Sequence, residues 1–137
     1  MGKYEHIFSK FSRKNILVVG DIILDKYIRG SVSRISPEAP VPVVLEKESF
    51  YTPGGAANVA HNLTGLSAKV TLIGRIGNDS EGKILKGQLR KGGVNTRGIF
   101  IEKKFPTICK TRVIAQHQQV VRIDREKIDS PGSREVI

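Results

Sequence analysis

Three short apolar runs set the rhythm of this chain: Ile16-Leu17-Val18-Val19-Gly20, Val70-Thr71-Leu72-Ile73-Gly74 and the stretch from Val94 to Ile101. Unbroken apolar runs of this length predict strands of a parallel sheet with both faces buried. Ser80 to Lys91 instead spaces Ile84, Leu85 and Leu89 as a helix does, and Gly92-Gly93 stops it. Asn58 to Leu66 predicts a second helix, with Val59, Asn62, Leu63 and Leu66 on one side. Tyr4, Ile7, Phe8 and Phe11 predict a short amphipathic helix within residues 1–14. Residues 22–29, 43–51, 107–115 and 119–123 read as extended, with a proline-punctuated loop from Ser33 to Pro42. The 43–51 stretch is the more polar and reads as an edge or lid strand.

The strand–helix–strand–helix–strand order predicts βαβ units, and therefore an α/β fold with a parallel sheet covered by helices on both faces. Extended segments with no helix between them predict a small separate sheet. Three parallel strands are few for this architecture. Residues 1–137 therefore read as the N-terminal part of one larger domain.

Composition narrows the classes. The chain is 39% hydrophobic and 26% charged, which is globular rather than disordered. No stretch approaches the roughly 18 apolar residues of a membrane span, and no apolar segment follows Lys3, Lys10, Arg13 and Lys14 to make a secretory signal. The single cysteine, Cys109, cannot form an internal disulfide, which fits a reducing cytoplasm. The formal charge of +10 raises the question of a nucleic-acid partner. Its 23 Lys and Arg residues are dispersed, however, and the few aromatics do not alternate with them as stacking platforms. No nucleic-acid partner and no membrane association are expected.

The densest chemistry lies at Pro53-Gly54-Gly55-Ala56-Ala57-Asn58, between a strand-like and a helix-like segment. Two glycines without Cβ atoms let a ligand approach the main chain and permit φ > 0. The following amides point outward from a helix start, and Asn58 adds a neutral donor and acceptor set suited to a polyhydroxy ligand. Asp21 and Asp25 follow the first apolar run, where open α/β sheets bind ligands. A carboxylate at Asp25 can accept two sugar hydroxyls or pair with a nearby Lys or Arg; Asp21 reads as a turn residue. Arg34, Lys110, Arg112 and Arg122 lie on the loop and extended segments and are candidates for clamping a substrate phosphate. Gly77-Asn78-Asp79-Ser80-Glu81-Gly82-Lys83 imitates a nucleotide P-loop, but Ile84 replaces the Mg²⁺-binding hydroxyl and two acids sit in the loop. Asp79 reads instead as a helix-start residue.

These residues carry a family resemblance. The run Gly54-Gly55-Ala56-Ala57-Asn58-Val59-Ala60, with Ser67 and Gly77 downstream, resembles the N-terminal signature of the ribokinase (PfkB) family of sugar kinases. Gly20 with Asp25, and the Gly77-x-Asp79-x-x-Gly82 element, occupy the matching places. The stretches from Ser33 to Val43 and from Gln118 to Asp124 are similar to the heptose-7-phosphate kinase branch, which includes the kinase domain of bifunctional ADP-heptose synthases. The similarity runs from about Asn15 to about Glu126.

The resemblance implies a ribokinase-like (Rossmann-like) sheet with a small β-lid. It also implies an ATP- and Mg²⁺-dependent kinase acting on the anomeric hydroxyl of D-glycero-D-manno-heptose 7-phosphate, in ADP-heptose synthesis for lipopolysaccharide. By position, Asp25, Gly54, Gly55 and Asn58 would hold sugar hydroxyls. Residues 24–51 and 106–124 would form the lid and a homodimer contact. The family's Gly-x-Gly-Asp motif, with its catalytic base beside the ATP site, occurs nowhere in the 137 residues. No catalytic residue, ATP site or Mg²⁺ site is therefore expected here, and the chain alone is expected to be inactive. Another sugar kinase of the family, or a non-catalytic sugar-phosphate-binding module, are the alternatives.

Overall fold

The computed structural model describes residue 7 and residues 9–127. The helix expected within residues 1–14 falls mostly outside them; a 3-10 turn occupies Phe11–Arg13. The described elements are β1 (Asn15–Val19), β2 (Ile22–Ile35), β3 (Pro42–Gly55), α1 (Ala56–Gly65), β4 (Lys69–Gly77), α2 (Ser80–Lys91), β5 (Asn95–Glu102), β6 (Ile108–Ala115) and β7 (Gln118–Arg125).

The three apolar runs form a parallel sheet in the order β1-β4-β5, in register from Asn15 opposite Lys69 to Val19 opposite Ile73. Each new strand is added on the same side. Right-handed crossovers must then place both helices on one face. Ala57 and Ala60 of α1 and Leu85 and Leu89 of α2 accordingly share one core with Val70, Leu72, Val94 and Ile99. Burying a leucine such as Leu85 or Leu89 contributes roughly 1.5–3 kcal/mol. The opposite face is bare: Leu17, Val19 and Phe100 are 59%, 68% and 63% exposed. The expectation of strands buried on both faces is corrected here, because covering the second face requires helices from strands added beyond β1.

Helix α1 begins two residues earlier than its pattern predicts and buries a different stripe. Ala57 and Ala60 face the core, Leu63 packs at its margin, and Val59 and Leu66 are exposed. Small side chains let the helix lie close to β1 and β4, leaving the larger residues outside. Helix α2 matches its predicted span. Asp79 caps it, accepting the Gly82 N–H at 2.9 Å.

The extended segments form the second, four-stranded sheet, ordered β3-β2-β6-β7. Strands β2 and β3 are an antiparallel hairpin, β2 and β6 run parallel, and β6 and β7 are a second hairpin. The predicted loop shrinks to residues 36–41: β2 continues through Ser33-Arg34-Ile35, alongside β3. Strand β3 is an edge, as its polarity indicates. At its base β2 returns to the core through Ile22 and Leu24, 1% and 0% exposed. Among the described residues no helix is long and apolar enough to cross a membrane.

Candidate functional site

The candidate site sits where β2 and β3 leave the parallel sheet, just past the C-terminal end of β1. Register places Ile23 opposite Gly54 and Asp25 opposite Thr52, so Gly54 is the diagonal neighbour of Asp25 on one sheet face. A Cβ at Gly54 would lie 2.5 Å from Asp25 Oδ2. Only a bare Cα fits against that carboxylate. Gly55 then turns the chain with φ +53° and ψ −134°, a conformation reserved in practice for glycine. A Cβ there would meet the Asp21 carbonyl oxygen at 2.6 Å. The same carbonyl accepts the Ala56 N–H at 2.9 Å. Asp21 thus serves the turn through its backbone.

Helix α1 starts at this turn without a side-chain cap. Helix α2 provides the contrast. Its first turn is filled by the Asp79 carboxylate, which also accepts the Thr107 hydroxyl and N–H and lies 3.0 Å from Arg125 Nη2. Burial pushes the Asp79 carboxyl up, but the Thr107 and Gly82 hydrogen bonds and the Arg125 charge outweigh it and hold it below the ordinary range. Glu81 accepts from Ser80 and pairs with Arg125 at 3.0 Å. Both acids of the P-loop imitation thus bind the protein itself. The exposed Asn58 lies on the first turn of α1, where its Oδ1 accepts from Asn62 at 3.4 Å.

The four cations divide. Arg112 Nη1 donates to Asp25 Oδ1 at 2.5 Å, and its guanidinium lies 5.4 Å from the Tyr27 ring centre. That hydrogen bond, opposed by burial and aided by the Asp25 charge, raises Arg112 above its ordinary value. Lys110 reaches Asp124 at 3.0 Å, and Arg122 Nε reaches the same carboxylate at 2.9 Å. The Lys110 hydrogen bond, against some desolvation, holds Asp124 low with help from Arg122. Register puts Asp25, Lys110 and Asp124 in one row and Tyr27, Arg112 and Arg122 in the next but one. These residues share one face of the sheet. Arg34 is exposed and nine positions beyond Asp25 on β2, roughly 30 Å along an extended strand. The structure therefore brings Asp25, Gly54, Gly55 and Arg112 together, with Lys110 and Arg122 adjacent and Arg34 apart.

The Arg112–Asp25 contact was not foreseeable as a specific pair, because 87 positions separate the partners. Tyr27, stacked on Phe50 with ring centres 5.0 Å apart, was also missed; its strand position beside the charged row was the available signal. A cavity of about 650 Å³ lies elsewhere, lined by Arg29, Lys47, Gln116 and His117 among others, and none of the predicted site residues lines it.

A parallel sheet, a second sheet reached through β2, and a glycine turn against a carboxylate fit a carbohydrate-kinase class of fold. Residues 13–135 match the pfkB family carbohydrate kinase profile, and the chain belongs to that family. It is similar to the bifunctional protein HldE of Magnetococcus marinus, at 50% identity over 116 residues covering 85% of this chain and 24% of that protein. It is likewise similar to bifunctional protein HldE of Helicobacter pylori strain J99, at 53% over 113 residues, with 82% and 24% covered. Among solved structures, Arabidopsis thaliana ribokinase complexed with ribose and ATP shares the fold with a TM-score of 0.66 and 22% identity. A carbohydrate kinase from Agrobacterium tumefaciens has a TM-score of 0.66 and 26% identity. Each alignment covers 81% of this chain and 35% of the other. The chain spans about a quarter of the length of the curated relatives it matches.

Proposed function

We propose that this chain is the sugar-binding and lid portion of an ATP-dependent carbohydrate kinase that phosphorylates the anomeric hydroxyl of D-glycero-D-manno-heptose 7-phosphate. The single observation that carries the reading is the start of α1, without a side-chain cap, at a glycine turn whose neighbour is the Asp25 carboxylate. A sugar presents hydroxyls that donate and accept at once. Asp25 supplies the acceptor, while Asn58 and the α1 amides that follow Ala56, whose own N–H is taken by the Asp21 carbonyl, supply donors. The roughly 50% identity to HldE proteins supports a heptose phosphate over other sugars.

In this reading the second sheet is the lid over the sugar, and Lys110, Arg112, Arg122 and Arg34 are the cations available for the 7-phosphate. Exposed Val121 and Ile123 on β7 would take part in a homodimer contact. Positioning of the γ-phosphate dominates phosphoryl transfer, and the turn that imitates a P-loop is filled by Asp79. ATP and Mg²⁺ are therefore assigned to residues outside this segment, in a cytoplasmic enzyme, and the segment alone is inactive. The test is ATP consumption by the full-length protein with a panel of sugar phosphates. Turnover highest on the heptose 7-phosphate supports the assignment. Turnover highest on another sugar moves the enzyme elsewhere in the family, and binding without turnover makes it a non-catalytic module.

A further inference from the structure

Asp25 Oδ2 rests against the bare Cα of Gly54, and Arg112 holds Oδ1. The two side chains, Arg112 and Asp25, are 24% and 17% exposed, so the pair is largely shielded from water. The other cations of this face, Lys110 and Arg122, converge on Asp124. Arg112 thus has the carboxylate of the sugar site itself as its acidic partner. Its direct cross-strand neighbour is Arg122, a like charge that adds to the local positive field. Lys110 also lies 4.0 Å from Glu126, so the three cations Lys110, Arg112 and Arg122 meet the three carboxylates Asp25, Asp124 and Glu126, and Arg112 has no surplus acid to turn to.

We infer that Arg112 selects phosphorylated over unphosphorylated sugars, by occupying Asp25 until a substrate phosphate takes its guanidinium away. The inference rests on the reading of Asp25 as a sugar ligand given above. Arg112 fills one acceptor position on Asp25 Oδ1, so a sugar whose hydroxyl needs that position must displace it. Its hydroxyls replace the hydrogen bond that Asp25 loses, but they offer the guanidinium no anion. A shielded cation stripped of its partner is costly. A phosphate on the same sugar removes that cost, because its oxygens match the guanidinium fork and carry the compensating charge. The same residue therefore obstructs one class of sugar and assists the other.

The test uses the full-length protein with saturating ATP, and compares kcat/KM for heptose 7-phosphate and for the unphosphorylated heptose. In Arg112→Gln the preference for the phosphosugar should fall about thirtyfold or more, with KM for the phosphosugar rising and KM for the free heptose unchanged or lower. Arg112→Lys, which keeps the charge without the fork, should lose about three- to tenfold and serves if the Gln variant does not fold. A preference within about twofold of wild type in a folded variant overturns the inference while leaving the site reading intact. A wild-type protein that phosphorylates neither sugar overturns the site reading, and this inference with it.

Discussion

Thr107 donates its hydroxyl to Asp79 Oδ1 at 2.6 Å and its N–H to Oδ2 at 2.9 Å, so one carboxylate both starts α2 and fixes the approach to β6. Thr107 is fully buried and also accepts the Gly77 N–H at 2.9 Å. Arg125, at the end of β7, closes the cluster on Asp79 and Glu81. The parallel sheet and the second sheet are joined through this polar knot as well as through the core residues of β2.

The knot predicts an acid dependence of stability. The folded Asp79 carboxyl lies below its ordinary value, so its stabilisation is complete above the unfolded value of about 4 and is lost as pH falls through the folded value. Asp79→Asn keeps a capping oxygen but loses the charge and one acceptor. Urea unfolding at pH 7 should show a loss of about 1–2 kcal/mol, and the variant's stability should decline less than wild type between about pH 5 and pH 2.

Gly54 and Gly55 should respond differently to alanine. At Gly54 the added Cβ meets the Asp25 carboxylate, which must rotate away and break its contact with Arg112, at a cost of about 1–3 kcal/mol. At Gly55 it meets backbone, with φ +53°, and the cost should reach about 2–3 kcal/mol. Thermal melts and sugar titrations of the full-length variants separate the two: Gly54→Ala loses affinity out of proportion to its fall in Tm, and Gly55→Ala falls mainly in Tm.

Much of this was legible in the sequence because local rules and tertiary demands agreed. Apolar runs marked β1, β4 and β5, helical spacing with Asp79 and Gly92 bounded α2, and Gly54-Gly55 marked the turn. What was not legible came from long-range geometry. Ser33-Arg34-Ile35 resembled a loop because prolines follow it, yet β3 supplies a ladder that no local pattern announces. The face that α1 buries is decided by its close approach to the sheet, which favours Ala57 and Ala60 over Val59. The one-sided covering follows from strand order. At the site, Asp25 and the glycines could be named in advance, but the guanidinium that holds Asp25 could not be chosen from several dispersed cations.

The bare sheet face makes a solubility prediction. Replacing Leu17, Val19 and Phe100 together with Thr leaves the helix-bearing core untouched, because these side chains point away from it. The 137-residue chain should then show less aggregate by light scattering at unchanged helical circular dichroism. Equal scattering from both forms would place the adhesive surface elsewhere.

The most direct test of the central claim is calorimetric titration of the full-length protein with heptose 7-phosphate, comparing wild type with Asp25→Asn. The substituted amide keeps one acceptor oxygen but neither the charge nor the second acceptor. The account predicts that Kd rises about thirtyfold or more in a variant that still unfolds cooperatively. A folded Asp25→Asn protein that binds the sugar phosphate as tightly as wild type would contradict it.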